Sequence, residues 1–348
     1  MVKVLKDKFC NVCKSIDVDI IDSYKHHCIL CRDCNSVTHF KKTGKYFLEK
    51  LFLDKILTFL PRRAYQRLFH AKKNFEPSNF YDTYINELGH VTDLRKSEFS
   101  QLVDQLDKIN FDPKNKKILD ISGGPGYVAK KLNQQGSEVT VTEYSPDSVN
   151  KIIQEYQIDA KVFDYSRDRL NKIFKEKFDL ILFRSSIIFC DHLDTLIEDS
   201  NEILNDDGYL IIETILPTLG EVLWWQQMEF KFPIIYSQEV IEKICLSNKL
   251  NLVFGYKEKL NYLKNKLRAK KGWPYLLWTL LIDLPMVMIY WFKSLFKKIP
   301  IDNSLNHKML FAAFIKSPNT FKNYKIKSLS KAQSTHFNKI YKDFIKYL

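Results

Sequence analysis

Five of the seven cysteines in this 348-residue chain crowd into its first 34 positions, as Cys10-Asn-Val-Cys13 and then Cys28-Ile-Leu-Cys31-Arg-Asp-Cys34. Paired Cys-x-x-Cys knuckles let four thiolates converge on one tetrahedral ion, with zinc as the default. The fifth cysteine leaves the second knuckle open to two readings, since it begins at either Cys28 or Cys31. The set Cys10, Cys13, Cys31 and Cys34 is preferred, because Cys34-Asn-Ser continues with turn residues while Tyr24 to Leu30 forms the strand leading in. His26 and His27 are substitute ligands. Thiol–disulfide exchange also uses a Cys-x-x-Cys, but two knuckles on short hairpins without a thioredoxin-like surround favour a structural ion. The opening Met1-Val-Lys-Val-Leu-Lys-Asp-Lys has no apolar core of a cleavable signal, so a reduced, cytoplasmic chain is expected.

A second group begins at Asp120. In Lys117-Ile-Leu-Asp-Ile-Ser-Gly-Gly-Pro-Gly-Tyr-Val-Ala-Lys-Lys-Leu132, Ile118, Leu119 and Ile121 read as a buried strand, and Tyr127 to Leu132 resumes helical spacing. Gly123, Gly124 and Gly126 between them allow a sharp turn and close backbone approach to a ligand, as a nucleotide cofactor requires. The next strand, Glu138-Val-Thr-Val-Thr-Glu143, ends in an acid about 20 residues beyond the glycines, where two carboxylate oxygens match the two hydroxyls of a ribose. Two cofactor classes fit, since Gly124-Pro-Gly126-Tyr-Val-Ala129 alone also passes for a dinucleotide fingerprint. Asp120, just before the glycines, and the segment order downstream decide between them.

The series Leu119-Asp120-Ile-Ser-Gly123-Gly124-Pro-Gly126, Glu143, Asp164, Phe178-Asp-Leu-Ile-Leu-Phe183 and Leu204-Asn-Asp-Asp-Gly208-Tyr-Leu-Ile-Ile-Glu213 resembles the class I S-adenosylmethionine-dependent methyltransferases over roughly residues 80 to 316. The resemblance implies that Gly123, Gly124 and Gly126 pass the methionine part of S-adenosylmethionine, with Asp120 near its amino group. It also implies that Glu143 holds the ribose, Tyr144 covers the adenine face and Asp164 meets the adenine amino group. Asp164 has a competing role as a cap for the element that follows it.

The elements that must position these groups follow from periodicity and breakers. Strands are predicted at 117–121, 138–143, 160–163, 178–183, 208–215, 251–257 and 308–316, with helices at 126–136, 146–156, 191–204 and 238–248. The expected fold is α/β, a Rossmann-like seven-stranded sheet covered on both faces, with the last two strands antiparallel as in the family. Ligands of such sheets bind beyond the carboxyl ends of the strands, where Gly123, Glu143, Asp164 and Arg184 fall.

Residues after the fourth of these strands bear on the acceptor. Base-amine methyltransferases carry an Asn/Asp-Pro-Pro-aromatic turn there, whereas this chain has Arg184-Ser-Ser-Ile187, which argues against that substrate class. Displacement at a sulfonium methyl is accelerated chiefly by placing the acceptor, and where its proton must leave, His192 and Asp191 are the nearest candidate bases. His192 resembles a His that many family members carry there, but it suits equally a helix-start residue facing solvent or packed on Tyr144. His90, Tyr81 and Tyr84 are candidates to cap the cofactor, or core residues.

The expected organisation is a zinc-ribbon-like module over 1–40, a helical linker or lid over 41–110, the methyltransferase domain over 111–260 and 307–317, an apolar helical insertion at 261–306, and a basic, helical tail at 318–348. The run Trp273 to Phe292, flanked by lysines, is long enough to span a bilayer, but it lies between two strands of one sheet and is divided by Asp283 and Pro285. It is expected either to cap substrate or to lie in the interface at the inner face of the membrane, with Trp and Tyr at the headgroups and lysines toward anionic lipid. The formal charge of +13 suits any anionic partner, and its lysines are spread rather than arranged as a nucleic-acid module, so nucleic acid ranks below a small-molecule or glycan acceptor.

A zinc ribbon fused to this fold resembles bacterial sugar and surface-polysaccharide methyltransferases. The expected function is therefore methyl transfer to a small-molecule, sugar or glycan acceptor in cell-envelope synthesis. Lipid, quinone or RNA methylation is the alternative among enzymes, and a non-catalytic scaffold is the alternative outside them.

Overall fold

The computed structural model describes residues 9–22, 26–41, 92–218, 234–260, 307–317 and 327–328. His90, Tyr81, Tyr84, the apolar run 273–292, most of the expected linker and nearly all of the tail lie outside the described residues.

The chain forms two sheets. The smaller holds β1 (Val18–Asp22), β2 (His26–Cys31), β3 (Val37–Lys41) and β9 (Ile234–Ile235) in that order, all antiparallel. The larger contains β4 (Lys117–Ile121), β5 (Glu138–Glu143), β6 (Asp159–Val162), β7 (Phe178–Arg184), β8 (Leu204–Leu216), β10 (Leu250–Leu260), β11 (His307–Lys316) and the two-residue edge β12 (Lys327–Ser328). Its order is β12-β10-β11-β8-β7-β4-β5-β6. The run β6 to β8 is parallel, and β11 enters antiparallel to both β8 and β10.

Alternation along the central strands builds two cores. In β4 and β7, Ile118, Leu180 and Leu182 face α1 (Thr92–Lys108), α2 (Tyr127–Gln134) and α3 (Pro146–Tyr156). The neighbouring Leu119, Ile121, Ile181 and Phe183 face the other way, toward α4 (Leu170–Ile173), α5 (Leu193–Ile203) and α6 (Gln238–Ser247). Each fully buried Leu or Ile contributes about 1.5–3 kcal/mol, which is why strands covered on both faces read as continuous apolar runs. The second core also takes in Cys10, Cys31, Cys34 and Val37, so the small sheet is packed onto the large one rather than tethered beside it.

Local chemistry sets the boundaries. Ser145 caps α3 by accepting the Ser148 N–H, Pro146 opens it, and Gln157 ends it in the left-handed region at φ 57°. β8 starts at Leu204, four residues before the predicted strand at 208, because Leu204 pairs with Phe178 before a register irregularity carries the strand past Asp207 at φ 62°. Neither β9 nor α4 is predicted from the sequence. Two isoleucines carry no periodicity, and β9 exists only because Val37 and Thr38 of a distant segment pair with it. Among the described residues, no helix is long and apolar enough to cross a membrane.

Candidate active site and cysteine cluster

The order reverses at β4, with β5 on one side and β7 on the other, which opens a crevice beyond their carboxyl ends. Asp120, Ser122, Gly123, Gly124, Glu143, Ser185 and Ser186 all lie at or just beyond those ends.

The glycine turn is locked by its neighbours. Gly123 N–H donates to the Thr142 carbonyl at 3.1 Å, and a β-carbon there would stand 2.7 Å from an Asp120 carboxylate oxygen and 2.9 Å from Val141. Gly126 caps the start of α2 at φ 75°, where a side chain would strike Ile152 at 2.9 Å. Gly124 differs: its φ is +59°, and a β-carbon would meet nothing within 4 Å. Here the turn faces open space, as a wall for a ligand must. The Gly124 N–H donates to Glu143 Oε2 at 2.9 Å, and the other carboxylate oxygen accepts the Tyr144 N–H at 2.6 Å. Asp120 and Glu143 are both 1% exposed, while Tyr144, next to Glu143, is 43% exposed.

A hydroxyl chain crosses the strand ends. Ser122 donates to the Tyr165 phenol at 3.0 Å, Tyr165 donates to Ser186 at 3.0 Å, and Ser186 donates to the Ile121 carbonyl at 3.4 Å. Burial pushes the Tyr165 phenol well up, against the lowering effect of its two serine partners. Ser122 and Ser185 hold φ values of 54° and 57° at the ends of adjacent strands. Left-handed backbone costs a non-glycine residue roughly 1–2 kcal/mol, and such strain gathers at functional sites. Sequence reasoning passed over Tyr165, Ser122 and Ser186, since their convergence depends on a crossover that no local pattern reveals.

Beyond β7, Arg184 sits across the β7–β8 ladder from Glu213, with Nε 3.6 Å from a carboxylate oxygen and both side chains almost buried. Ser185 donates to the other Glu213 oxygen at 3.3 Å. The available signal for Glu213 was an acid in an otherwise largely apolar stretch of strand, Leu210 to Leu216. Arg184 thus ends β7 between the two neighbouring strands, paired with Glu213 of β8 on one side and one residue past the Ile121–Phe183 pair with β4 on the other.

Asp164 follows β6, and its carboxylate is engaged within its own turn. One oxygen accepts the Ser166 N–H and hydroxyl at 2.9 and 2.7 Å, and the other pairs with Arg167 at 2.8 Å. Burial alone would raise its pKa, but the Ser166 and Arg167 bonds outweigh that and hold it below the usual carboxylate range. Asp191 and His192 lie between the 3-10 turn Ile187–Phe189 and α5, both exposed, and His192 opens α5 without a side-chain cap bond. The thiol of neighbouring Cys190 is pushed up to about 12 by burial, which removes it as a nucleophile.

At the other sheet, the Sγ atoms of Cys10, Cys13, Cys31 and Cys34 all lie within 4.8 Å of one another. Cys10 and Cys34 approach to 3.6 Å, and Cys13 and Cys31 to 3.4 Å. Tetrahedral zinc with Zn–S of about 2.3 Å places its sulfurs about 3.8 Å apart, so the four fit such an ion. Cys28 is buried one knuckle earlier, on β2 opposite His39, outside this group. The Cys10 thiol is lowered to about 5, first by its hydrogen bond with Cys34 and also by the N–H groups of Cys13 and Val12, while burial pushes Cys31 up to about 11. A cluster with one ready thiolate and N–H groups aimed at sulfur is prepared for a cation.

Residues 93–251 match a family described as a methyltransferase domain. No curated protein matches the chain. Similar solved structures include a TehB-like S-adenosylmethionine-dependent methyltransferase from Corynebacterium glutamicum, at 18% identity over 64% of this chain and 98% of that one, TM-score 0.37. A magnesium protoporphyrin IX methyltransferase from Synechocystis, with S-adenosylhomocysteine bound, matches at 13% identity over 73% and 99% of the two chains, TM-score 0.44. The N-methyltransferase NodS from Bradyrhizobium japonicum matches at 15% identity over 65% and 98%, TM-score 0.39. Residues 93–251 of the chain therefore carry a methyltransferase domain.

Proposed function

We propose that this enzyme methylates a hydroxyl-rich acceptor, a sugar or glycan, with the cofactor on the β4–β5 side of the crevice and the acceptor on the β7–β8 side. Glu143 ends β5 with each carboxylate oxygen accepting a backbone N–H, from Gly124 and from Tyr144, which fixes the acid at the mouth of the crevice where a ribose diol would be held. Gly124 leaves room for the cofactor chain, Asp120 lies against the turn for its ammonium group, and exposed Tyr144 and Val162 offer apolar surface for adenine. Asp164 can join that contact only by giving up part of its own turn. When bound, S-adenosylmethionine supplies an electrophilic methyl group on a sulfonium.

What supports the acceptor reading is the polar array of Arg184 at the end of β7, Ser185 and Ser186 after it, and Glu213 of the neighbouring β8, which mixes donors with acceptors. Such an array suits hydroxyls better than a flat base or an alkyl chain. His192 and Asp191 are proposed to receive the acceptor proton, and their exposure lets that proton pass to solvent. The four cysteines are proposed to hold a structural zinc ion that supports folding and takes no part in the reaction.

The test begins with calorimetric titration of wild type and Glu143→Ala with S-adenosylmethionine. Micromolar binding that the variant weakens about tenfold or more, roughly 1.4 kcal/mol, supports the cofactor assignment. Nucleotide sugars, lipid-linked glycans, quinones and RNA are then compared by S-adenosylhomocysteine release. Turnover with lipid, quinone or RNA but no sugar would overturn the acceptor reading, and wild type that binds no cofactor would favour a scaffold.

A further inference from the structure

Residues 234–237 join the cysteine cluster to the turn after β7. Ile234 and Ile235 pair with Thr38 and Val37, just past the second knuckle. Ser237 caps α6 by accepting the Val240 N–H, and its hydroxyl donates to the carbonyl of Cys34 at 2.6 Å. Its own N–H donates to the Ser36 hydroxyl at 3.2 Å. Tyr236, one residue earlier, donates its phenol proton to the carbonyl of Cys190 at 2.7 Å. Cys190 closes the 3-10 turn through its N–H to Ile187 and immediately precedes Asp191 and His192. Ser36, Cys190, Tyr236 and Ser237 are all buried, so water cannot replace these bonds.

We infer that Tyr236 is a positioning residue for the acceptor-side turn Ile187–His192, held in register by the cysteine cluster, so that loading of that cluster sets the acceptor side of the crevice and leaves the cofactor side alone. This rests on the proposals that the cysteines hold a metal and that the turn faces the acceptor. The chemistry is directional. A phenol that donates to one carbonyl fixes the height of the Cys190 peptide, and the peptides after it carry Asp191 and His192. The position of Tyr236 is fixed in turn by Ser237, whose partner is the carbonyl of a cluster cysteine. The bonds from Asn35 N–H to the Cys31 carbonyl and from Cys31 N–H to the Ser36 carbonyl close the second knuckle, and an ion shared by its Cys31 and Cys34 sulfurs with those of Cys10 and Cys13 would fix that knuckle against the first. The glycine turn and Glu143 are held by their own bonds on β4 and β5, on the far side of the reversal point.

Hydrogen–deuterium exchange tests this without knowledge of the acceptor. In the zinc-loaded full chain, Tyr236→Phe should speed exchange at the Phe189 and Cys190 amides about tenfold or more, since both are closed by turn bonds that then open locally. Zinc content and S-adenosylmethionine affinity should stay at wild-type values. Chelation of zinc from wild type should loosen the same two amides before those of Gly126 in the glycine turn and Lys130 in the first turn of α2. An unchanged turn in zinc-loaded Tyr236→Phe would overturn the inference, as would equal acceleration at Gly126 and Lys130 in either experiment. Cofactor binding by wild type is read separately, so its failure falls on the function and not on Tyr236.

Discussion

The carboxylate of Glu143 accepts the N–H of Gly124 at 2.9 Å, so the acid that ends β5 also closes the glycine turn that follows β4. A charge-assisted bond of this kind is worth about 1.5–3 kcal/mol, and its loss leaves the half-buried Gly124 N–H without this partner. Because Glu143 also accepts from Tyr144 N–H, it ties together the backbone that follows β4 and the backbone that follows β5.

Glu143→Gln should therefore behave worse than a simple loss of charge. An amide has one oxygen, and its NH2 group would face a backbone N–H at either Gly124 or Tyr144. Weakening of S-adenosylmethionine binding by about tenfold or more, with a lowered Tm, is expected from calorimetry and thermal unfolding. Unaltered affinity in a folded variant would remove Glu143 from the cofactor site.

Gly123 and Gly124 should separate stability from binding. Alanine at 123 meets Asp120 and Val141 below 3 Å, and overpacking of this kind costs about 1–3 kcal/mol. At 124 alanine meets no protein atom and pays only for φ +59°, roughly 1–2 kcal/mol. Gly124→Ala should leave the larger defect in cofactor affinity, because its methyl projects where the ligand would lie, whereas Gly123→Ala should lower Tm at least as much. Equal affinity for Gly124→Ala and wild type would move the cofactor elsewhere.

The sheet was legible because each central strand writes its burial locally: Ile118 to Ile121 and Leu180 to Phe183 are apolar on both faces, and the caps Ser145 and Ser237 precede their helices in sequence. The four clustered cysteines were legible because knuckle spacing is a covalent constraint. What stayed hidden is non-local. Tyr165 reaches Ser122 across 43 residues, Ser237 reaches Cys34 across 203, and β9 needs β3 to exist at all. Asp164 shows a different limit. The same carboxylate can serve its own turn or a ligand, and Ser166 and Arg167, which bias it toward the turn, look like ordinary loop residues.

The cysteine cluster should bind one zinc ion per chain and release protons as it does so. Cys10 is held near about 5 and enters as thiolate, but Cys31 sits up at about 11 and must lose its proton at neutral pH. Protons compete with the ion, so affinity should fall as pH drops. Calorimetry in buffers of different ionisation enthalpy should report about one or more protons released near pH 7.5. By metal analysis Cys31→Ser should lose the ion while Cys28→Ser keeps it. Retention by Cys31→Ser together with loss by Cys28→Ser would transfer the ligand role to Cys28.

Tyr165 makes the alkaline limb of stability diagnostic. Burial raises its pKa above the unfolded value of about 10, so the neutral phenol is favoured by the native state. The sign follows from linkage: this contribution is fully present below about pH 10 and is lost as pH rises toward the folded pKa, because the unfolded chain ionises first. Tyr165→Phe removes both the hydroxyl chain and this titration. At pH 8 the variant should be about 1–2 kcal/mol less stable, since Ser122 loses its acceptor and Ser186 its donor. Its stability should then fall less steeply than that of wild type between about pH 9.5 and 11. Urea unfolding of both proteins across that range measures the difference. Parallel curves would mean that the phenol is hydrated in the native protein and that the chain from Ser122 to Ser186 does not hold the two sides of the crevice together.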